Sequence, residues 1–351
     1  MTVPPKSLPE RDDESSQRRI AAESVLPPVE PPSASFLIQL FLVPLVIVLI
    51  VVSIWGFFSW LVNSRTNPQD LVNNIQALND ASWQSAYLLS DLLRNPEYQE
   101  LKTNTELAER LATILEEEIE SGTLSDQRLK LRIYLCRLLG EFQLPDVIPA
   151  LVTAARTERS LQEVDVRRSA IEALAVLAGQ WDRQAVADYP GVMDVVLAAS
   201  AERSDGPDAM ARDALRATAT FALGVLGTEE ARQRLATLLA DAHPNTRYNA
   251  ATGLARRGDP RAIPVLEEML DPDNPQAIAG ETTPDGQLRK RHDVLSAALS
   301  ATVRLKQVAP DADLEPLLVA IRRLARSDMP RAVRLQATEV LQLLGAPTDS
   351  H

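Results

Sequence analysis

The groups able to do chemistry are few. The chain holds three histidines, His243, His292 and His351, and one cysteine, Cys136. A zinc site draws on His, Cys and carboxylate ligands at spacings such as HExxH or CxxC, and no histidine here stands in such a context. A phosphate-cradling loop needs GxxxxGK[ST], or GxGxxG after a strand, and neither occurs. Serine and threonine are plentiful, but no base and orienting acid recognisable in sequence accompany them. Cys136 lies in the apolar pattern of a predicted helix, where a buried small hydrophobe is expected, and a single cysteine forms no intrachain disulfide. The expectation is no catalytic residue, no cofactor and no metal.

Charge is where the pattern lies. Asp126, Asp241 and Asp328 each stand six residues ahead of an arginine: Arg132, Arg247 and Arg334. An acid in a turn and a base on the following helix, recurring together, can pair between neighbouring layers of a stacked array and favour one register over a slipped one. Arg167 and Arg216 occupy the same phase without the acid and complete the expected structural ladder. The densest basic run, Leu288 to His292 ("LRKRH"), follows the irregular insertion Asp271 to Gly286. Insertions in repeat proteins often touch partners, so Arg289, Lys290 and Arg291 are candidate partner contacts, weighed against a solvated first helical turn. "EEEIE", Glu116 to Glu120, reads as a solvated helix end, and Trp83 and Trp181 as core or inter-layer filler.

These residues must be positioned by short helices. From each arginine mark, Ala, Leu and Gly recur at +3, +7 and +11: Ala219, Leu223 and Gly227 after Arg216; Ala250, Leu254 and Gly258 after Arg247; Ala337, Leu341 and Gly345 after Arg334. Arg132 and Arg167 match in part, and His292 takes the arginine slot in a degenerate copy. The marks are 35, 49, 31, 45 and 42 residues apart, each room for one helix pair with its turns. Small residues near +3 let helices approach, leucines fill the layer between them, and Gly at +11 suits a left-handed helix end. In "GDP", Gly258 to Pro260, the Asp can cap the next helix, with Pro at its first turn.

"DAHPNTRYNAATGLARRGDPRAIPVLEEMLDP" resembles a HEAT repeat, of the subtype named after phycobilisome lyases. "SDMPRAVRLQATEVLQLLG" and "LRATATFALGVLGTEEARQRLATLL" are similar, "VRRSAIEALAVLAG" less so, and Ala81 to Glu120 least. The resemblance covers roughly 80 to 345. It implies an all-α, curved α-solenoid, a fold that binds proteins across an extended surface.

A different segment precedes it. Phe36 to Val62 carries no charge over 27 residues and as a helix would extend roughly 40 Å, enough to cross a hydrocarbon core of about 30 Å. The run is too long and starts too late for a cleaved signal peptide. Residues 1–35 mix prolines, serines and charges of both signs and are expected to stay disordered. The expected organisation is a tail at 1–35, a transmembrane helix at 36–62, a linker and first helix at 63–80, a solenoid at 81–345 and a flexible end at 346–351. Keeping the charged tail inside, with Lys6, Arg11, Arg18 and Arg19, puts the solenoid on the non-cytoplasmic side.

A net charge of −12 repels a phosphate backbone, which weighs against nucleic acid. The expected function is a membrane-anchored scaffold with a membrane-associated protein partner and lipid around its helix, and with no small-molecule substrate. An enzyme of the lyase type, suggested by the subtype's name alone, and a structural subunit of an oligomeric membrane complex are the alternatives.

Overall fold

The computed structural model describes residues 34–62, 67–203, 206 and 208–345. The chain divides into two compact units, Met1–Arg65 and Thr66–His351. The expected tail falls outside the described residues except for Ala34 and Ser35, and the expected C-terminal end, 346–351, lies wholly outside.

The described part of the first unit is one helix, α1, Ala34–Val62. Its 21-residue stretch Ile38–Phe58 has a mean hydropathy of 2.9 and buries nothing within the protein. It is long and apolar enough to cross a membrane. Pro44 sits inside it without ending it.

The second unit opens with α2, Pro68–Gln76, and α3, Ser82–Arg94. Asn67 caps α2 by accepting the Gln69 N–H, and Leu71, Val72 and Ile75 are buried in the core. The segment expected as linker and first helix is therefore already part of the helical unit. A single turn-rich stretch leads to α4, Thr105–Ser121. Then come α5, Asp126–Leu139; α6, Ile148–Arg156; α7, Val164–Gln180; α8, Arg183–Asp188; and α9, Val192–Ser200. The chain continues through α10, Ala209–Leu226; α11, Glu229–Leu238; α12, Pro244–Ala255; and α13, Ile263–Leu270. It closes with α14, Pro284–Val308; α15, Glu315–Ala325; and α16, Arg331–Leu343. No strand occurs among the described residues.

The helices alternate between two rows. One row is α3, α5, α7, α10, α12, α14 and α16, each touching the next, and the others lie behind them. One apolar core runs through all the layers from Leu71 to Leu341. Within the front row the approach is close because small residues meet: a Cβ on Gly224 would stand 2.9 Å from the Gly253 Cα, and one on Gly140 2.8 Å from the Ala173 Cα. In the arginine frame these are +8 of one layer against +6 of the next. Behind, α9 and α11 barely meet, and so do α11 and α13. Elsewhere the back row does meet, at α4–α6, α6–α9 and α13–α15, and it is the front row that carries the clefts and forms the concave side.

The corners are encoded as the sequence suggests. Gly227 and Gly258, at +11, end their helices with φ of 62° and 77°, a left-handed conformation natural only to glycine. Asp259 accepts the Arg261 N–H at 3.1 Å and starts the next turn. At the last layer the +8 position is Gln342, exposed, where Ala255 and Ala175 are buried. A polar residue there suits the end of an array, since no further described helix covers it.

The insertion Asp271–Gly286 is not wholly exposed: Asn274 and Ala277 are buried, and the Asn274 side chain donates to the Tyr248 hydroxyl and the Glu268 carbonyl, both at 2.9 Å, while residues 280–285 are exposed. Nor is "EEEIE" wholly solvated, since Glu118 is buried and pairs with Arg128 at 2.8 Å. Its burial pushes the Glu118 carboxyl up, against the pull of Arg128 and Arg132.

Candidate interaction groove

Two sets of arginines line the solenoid, and they are treated differently. The first is the ladder on the turn side. Arg132 donates to the Thr123 carbonyl at 2.7 Å and meets Glu163 at 3.3 Å. Arg167 donates to the Ala155 carbonyl at 3.1 Å and meets Glu202 at 2.9 Å, with Glu158 beside it. Arg216 donates to the Glu202 carbonyl at 3.0 Å and holds Asp241 by two hydrogen bonds of 2.9 Å. Arg247 donates to the Asp241 carbonyl at 2.8 Å and meets Glu268 at 2.6 Å. Each reaches back to a carbonyl in the last turn of the preceding back-row helix or just after it, and forward to a carboxylate that precedes the next front-row helix in the chain. Such two-sided bonding ties consecutive layers in one register.

The acid at −6 from its own arginine is not the general partner. Asp126 is exposed in the first turn of α5 and Asp328 is exposed, and neither forms an ion pair with Arg132 or Arg334. Asp241 joins the ladder through the preceding layer's Arg216 and offers Arg247 only its carbonyl. Arg334 is exposed, with no side-chain partner among the described residues. Burial pushes the Asp241 carboxyl up, but the Arg216 guanidinium and the His243 N–H outweigh it and hold the carboxyl below its ordinary value.

The second set faces the concave side. A cleft of about 900 Å³ crosses α7, α10, α12 and α14. A smaller one, about 290 Å³, lies across α3, α5 and α7, and Glu172 lines both. The two adjoining clefts together run over six front-row helices. Its lining falls at +2, +5 and +9 of the arginine frame: Tyr134, Arg137 and Glu141 on α5 and just after it; Thr218 and Phe221 on α10; Asn249, Thr252 and Arg256 at α12. That stripe was readable from the same frame that gave the ladder, but outward-facing positions vary in type from layer to layer and so carry no repeat signal of their own.

The two ends of the groove differ chemically. At the α3–α5 end, Trp83 stacks on Tyr134 with centroids 5.6 Å apart, and Tyr87 meets Tyr134 edge-on at 5.6 Å. Lys130 lies over Trp83 and Arg137 over Tyr134. Trp83 is half-buried and packs against the core between α3 and α5, as expected of an inter-layer filler, while Trp181 is exposed where α7 ends. At the α10–α14 end, Arg256 lies 5.5 Å from the centre of the Phe221 ring and forms no hydrogen bond or ion pair among the described residues. Solvent reaches Arg256, yet the surrounding walls strip enough water to lower its guanidinium below the ordinary arginine range.

The basic run of α14 is split by the helix. Lys290 lines the concave cleft, with its ammonium donating to the Ala279 carbonyl. Arg291 lines a separate hollow of about 750 Å³ beside α15 and donates to the Pro272 carbonyl. Arg289 is exposed and lines neither. Of the histidines, His243 is buried enough to lower its pKa and contacts the Thr246 hydroxyl at 3.1 Å, and His292 is exposed beside Asp293; His351 lies outside the described residues. Cys136 is fully buried and its thiol is pushed up to about 12 by burial.

With this geometry in place the comparisons are direct. The family of HEAT repeats matches residues 208–282, which span α10 to the turn after α13. Within those residues the chain carries HEAT repeats. No curated protein matches it. The solved structure of human deoxyhypusine hydroxylase in complex with glycerol is 18% identical over 79% of this chain and 96% of that chain, with a TM-score of 0.28, a level that carries no argument.

Proposed function

We propose that this HEAT array is a membrane-anchored scaffold that holds a protein partner along its concave face and does no catalysis of its own. The observation that carries the reading is the pair of adjoining clefts across six front-row helices, lined at +2, +5 and +9 mostly by polar and charged side chains. A long shallow surface of this kind suits an elongated partner better than a small substrate. The apolar α1 supports the anchoring, since tethering raises the effective concentration of anything else confined to the same bilayer. On this reading the partner is membrane-associated, lipid surrounds α1, and the array lies on the non-cytoplasmic side.

The test places a photo-crosslinking amino acid at Thr252 in the groove and, separately, at Glu267, which is exposed on the back-row helix α13. Membranes carrying the full-length chain should give a discrete adduct from Thr252 and none from Glu267, and removing residues 1–62 should weaken it. Adducts only from Glu267, or none from either position, overturn the reading. Protease cleavage of the array in intact cells checks the side: protection places it in the cytoplasm.

A further inference from the structure

Four arginines gather at the α10–α14 end: Arg183, Arg256, Arg257 and Arg304. After burial, the neighbouring charges of Arg183, Arg256 and Arg304 are what lower the Arg257 guanidinium, and no carboxylate pairs with any of the four among the described residues. The chain has 48 acidic residues against 36 basic ones, and its buried arginines elsewhere each find an acid. The four here do not, and none of them is fully buried: Arg183 and Arg257 are half-buried and Arg256 and Arg304 are exposed.

Two of its members have a structural task. Arg183 donates to the Leu226 carbonyl at 2.8 Å and Arg257 to the Val225 carbonyl at 3.2 Å, at the last turn of α10, where carbonyls lack helical partners and the dipole favours a cation. Arg256 and Arg304 have none. Both line the groove; Arg256 has only the Phe221 ring, and Arg304 reaches only the Gln307 side chain at 3.4 Å. The same cleft is lined by Ala217 on α10 and Ala297 on α14, beside polar residues such as Asn249 and Thr252.

We infer that this end of the groove binds an acidic amphipathic segment of the protein partner, whose carboxylates meet Arg256 and Arg304 while its apolar side lies on Phe221, Ala217 and Ala297. The inference rests on the concave face being the partner-binding face. Guanidinium forks bind carboxylates with paired, charge-assisted hydrogen bonds, and a site partly stripped of water strengthens them. A bilayer is flat and cannot enter a concave surface to reach the pair. A nucleic acid would need a long run of cations, but Glu172 and Asp293 interrupt the lining and the chain as a whole is negative.

The test uses the full-length chain in detergent micelles and three labelled 20-residue peptides with one leucine–alanine face and a polar face of Glu, Gln or Lys. By fluorescence anisotropy the Glu peptide should bind at least about tenfold tighter than the Gln peptide, and added salt should weaken it. Arg256→Gln and Arg304→Gln should each cost about tenfold, and Arg256→Lys should retain part of the affinity. Unchanged circular dichroism and melting temperature show that these variants fold. Equal binding of the Glu and Gln peptides, preference for the Lys peptide, no binding of the Glu peptide at any salt, or indifference to both substitutions overturns the inference. So does an Arg256-dependent preference for a 20-base-pair duplex or for vesicles containing phosphatidylserine. If the Thr252 adduct persists in membranes while the Glu peptide is not preferred, the scaffold reading stands and the acidic segment falls; if the wild-type adduct is missing, the scaffold reading itself fails.

Discussion

The ladder and the groove use the same side chain to opposite ends. On the turn side, Arg132, Arg167, Arg216 and Arg247 are each held by a carbonyl behind and a carboxylate ahead, although the buried Nε of Arg132 has no hydrogen-bond partner, so their charge is used in joining layers. On the concave side, Arg256 and Arg304 have no acid among the described residues although the chain has acids in excess. Where the fold needs an arginine it surrounds it with acceptors. An arginine without them contributes little to stability, and its charge is open to something outside the fold.

The comparison breaks most readily at Arg132, the most buried of the ladder arginines at 1% exposure. Arg132→Ala leaves Glu163 with only Arg159 for an ionic partner and Glu118 with only Arg128, both carboxylates being buried. Breaking a buried pair from one side costs about 3–5 kcal/mol, read as a lower urea midpoint at constant slope. A loss under about 1 kcal/mol would mean the ladder does not set the register.

Asp241 gives the next effect and a pH signature. Asp241→Asn weakens the forward bond of Arg216 and should cost roughly 1.5–3 kcal/mol near neutral pH. The sign follows from the depressed folded pKa: the Asp241 contribution is complete above the unfolded value of 3.8 and is lost as pH falls below it toward the folded value. The wild type should therefore lose stability more steeply than Asp241→Asn on the acid side of that value, measured by urea midpoints across the range. Parallel acid limbs would remove Asp241 from the ladder.

A third test separates packing from charge. Gly224→Ala puts a Cβ 2.9 Å from the Gly253 Cα, which forces α10 and α12 apart and should cost about 1–3 kcal/mol. Gly179→Ala meets nothing within 4 Å in α7 and should be neutral or slightly stabilising. Equal melting temperatures for the two would mean that the front row is not tightened by its small residues.

Much of this arrangement could be read in the amino-acid order. The +3 alanines, Ala170, Ala219, Ala250 and Ala337, are all buried, and the +11 glycines turn the chain, because core and corner positions repeat the same physical demand in every layer. The ladder was legible only on its basic side. Its acids, Glu163, Glu202, Asp241 and Glu268, follow their arginines by 31, 35, 25 and 21 residues, since the connecting turns differ in length and each acid needs only to arrive in the right place. The unpaired state of Arg256 and Arg304 had no sequence signal at all, because it depends on what is absent around them in three dimensions.

The smallest expected effect is the one that most sharpens the contrast. Arg256→Gln removes a charge that no carboxylate balances and relieves repulsion on Arg257, at the loss of its contact with the Phe221 ring. Arg334→Ala removes an arginine in the ladder phase that is exposed and has no side-chain partner among the described residues. Both should leave the urea midpoint within about 0.5 kcal/mol of wild type, unlike Arg132→Ala. If Arg334→Ala instead destabilises by as much as Arg132→Ala, the array does not end where α16 does, and a further layer, from this chain or another, completes the ladder.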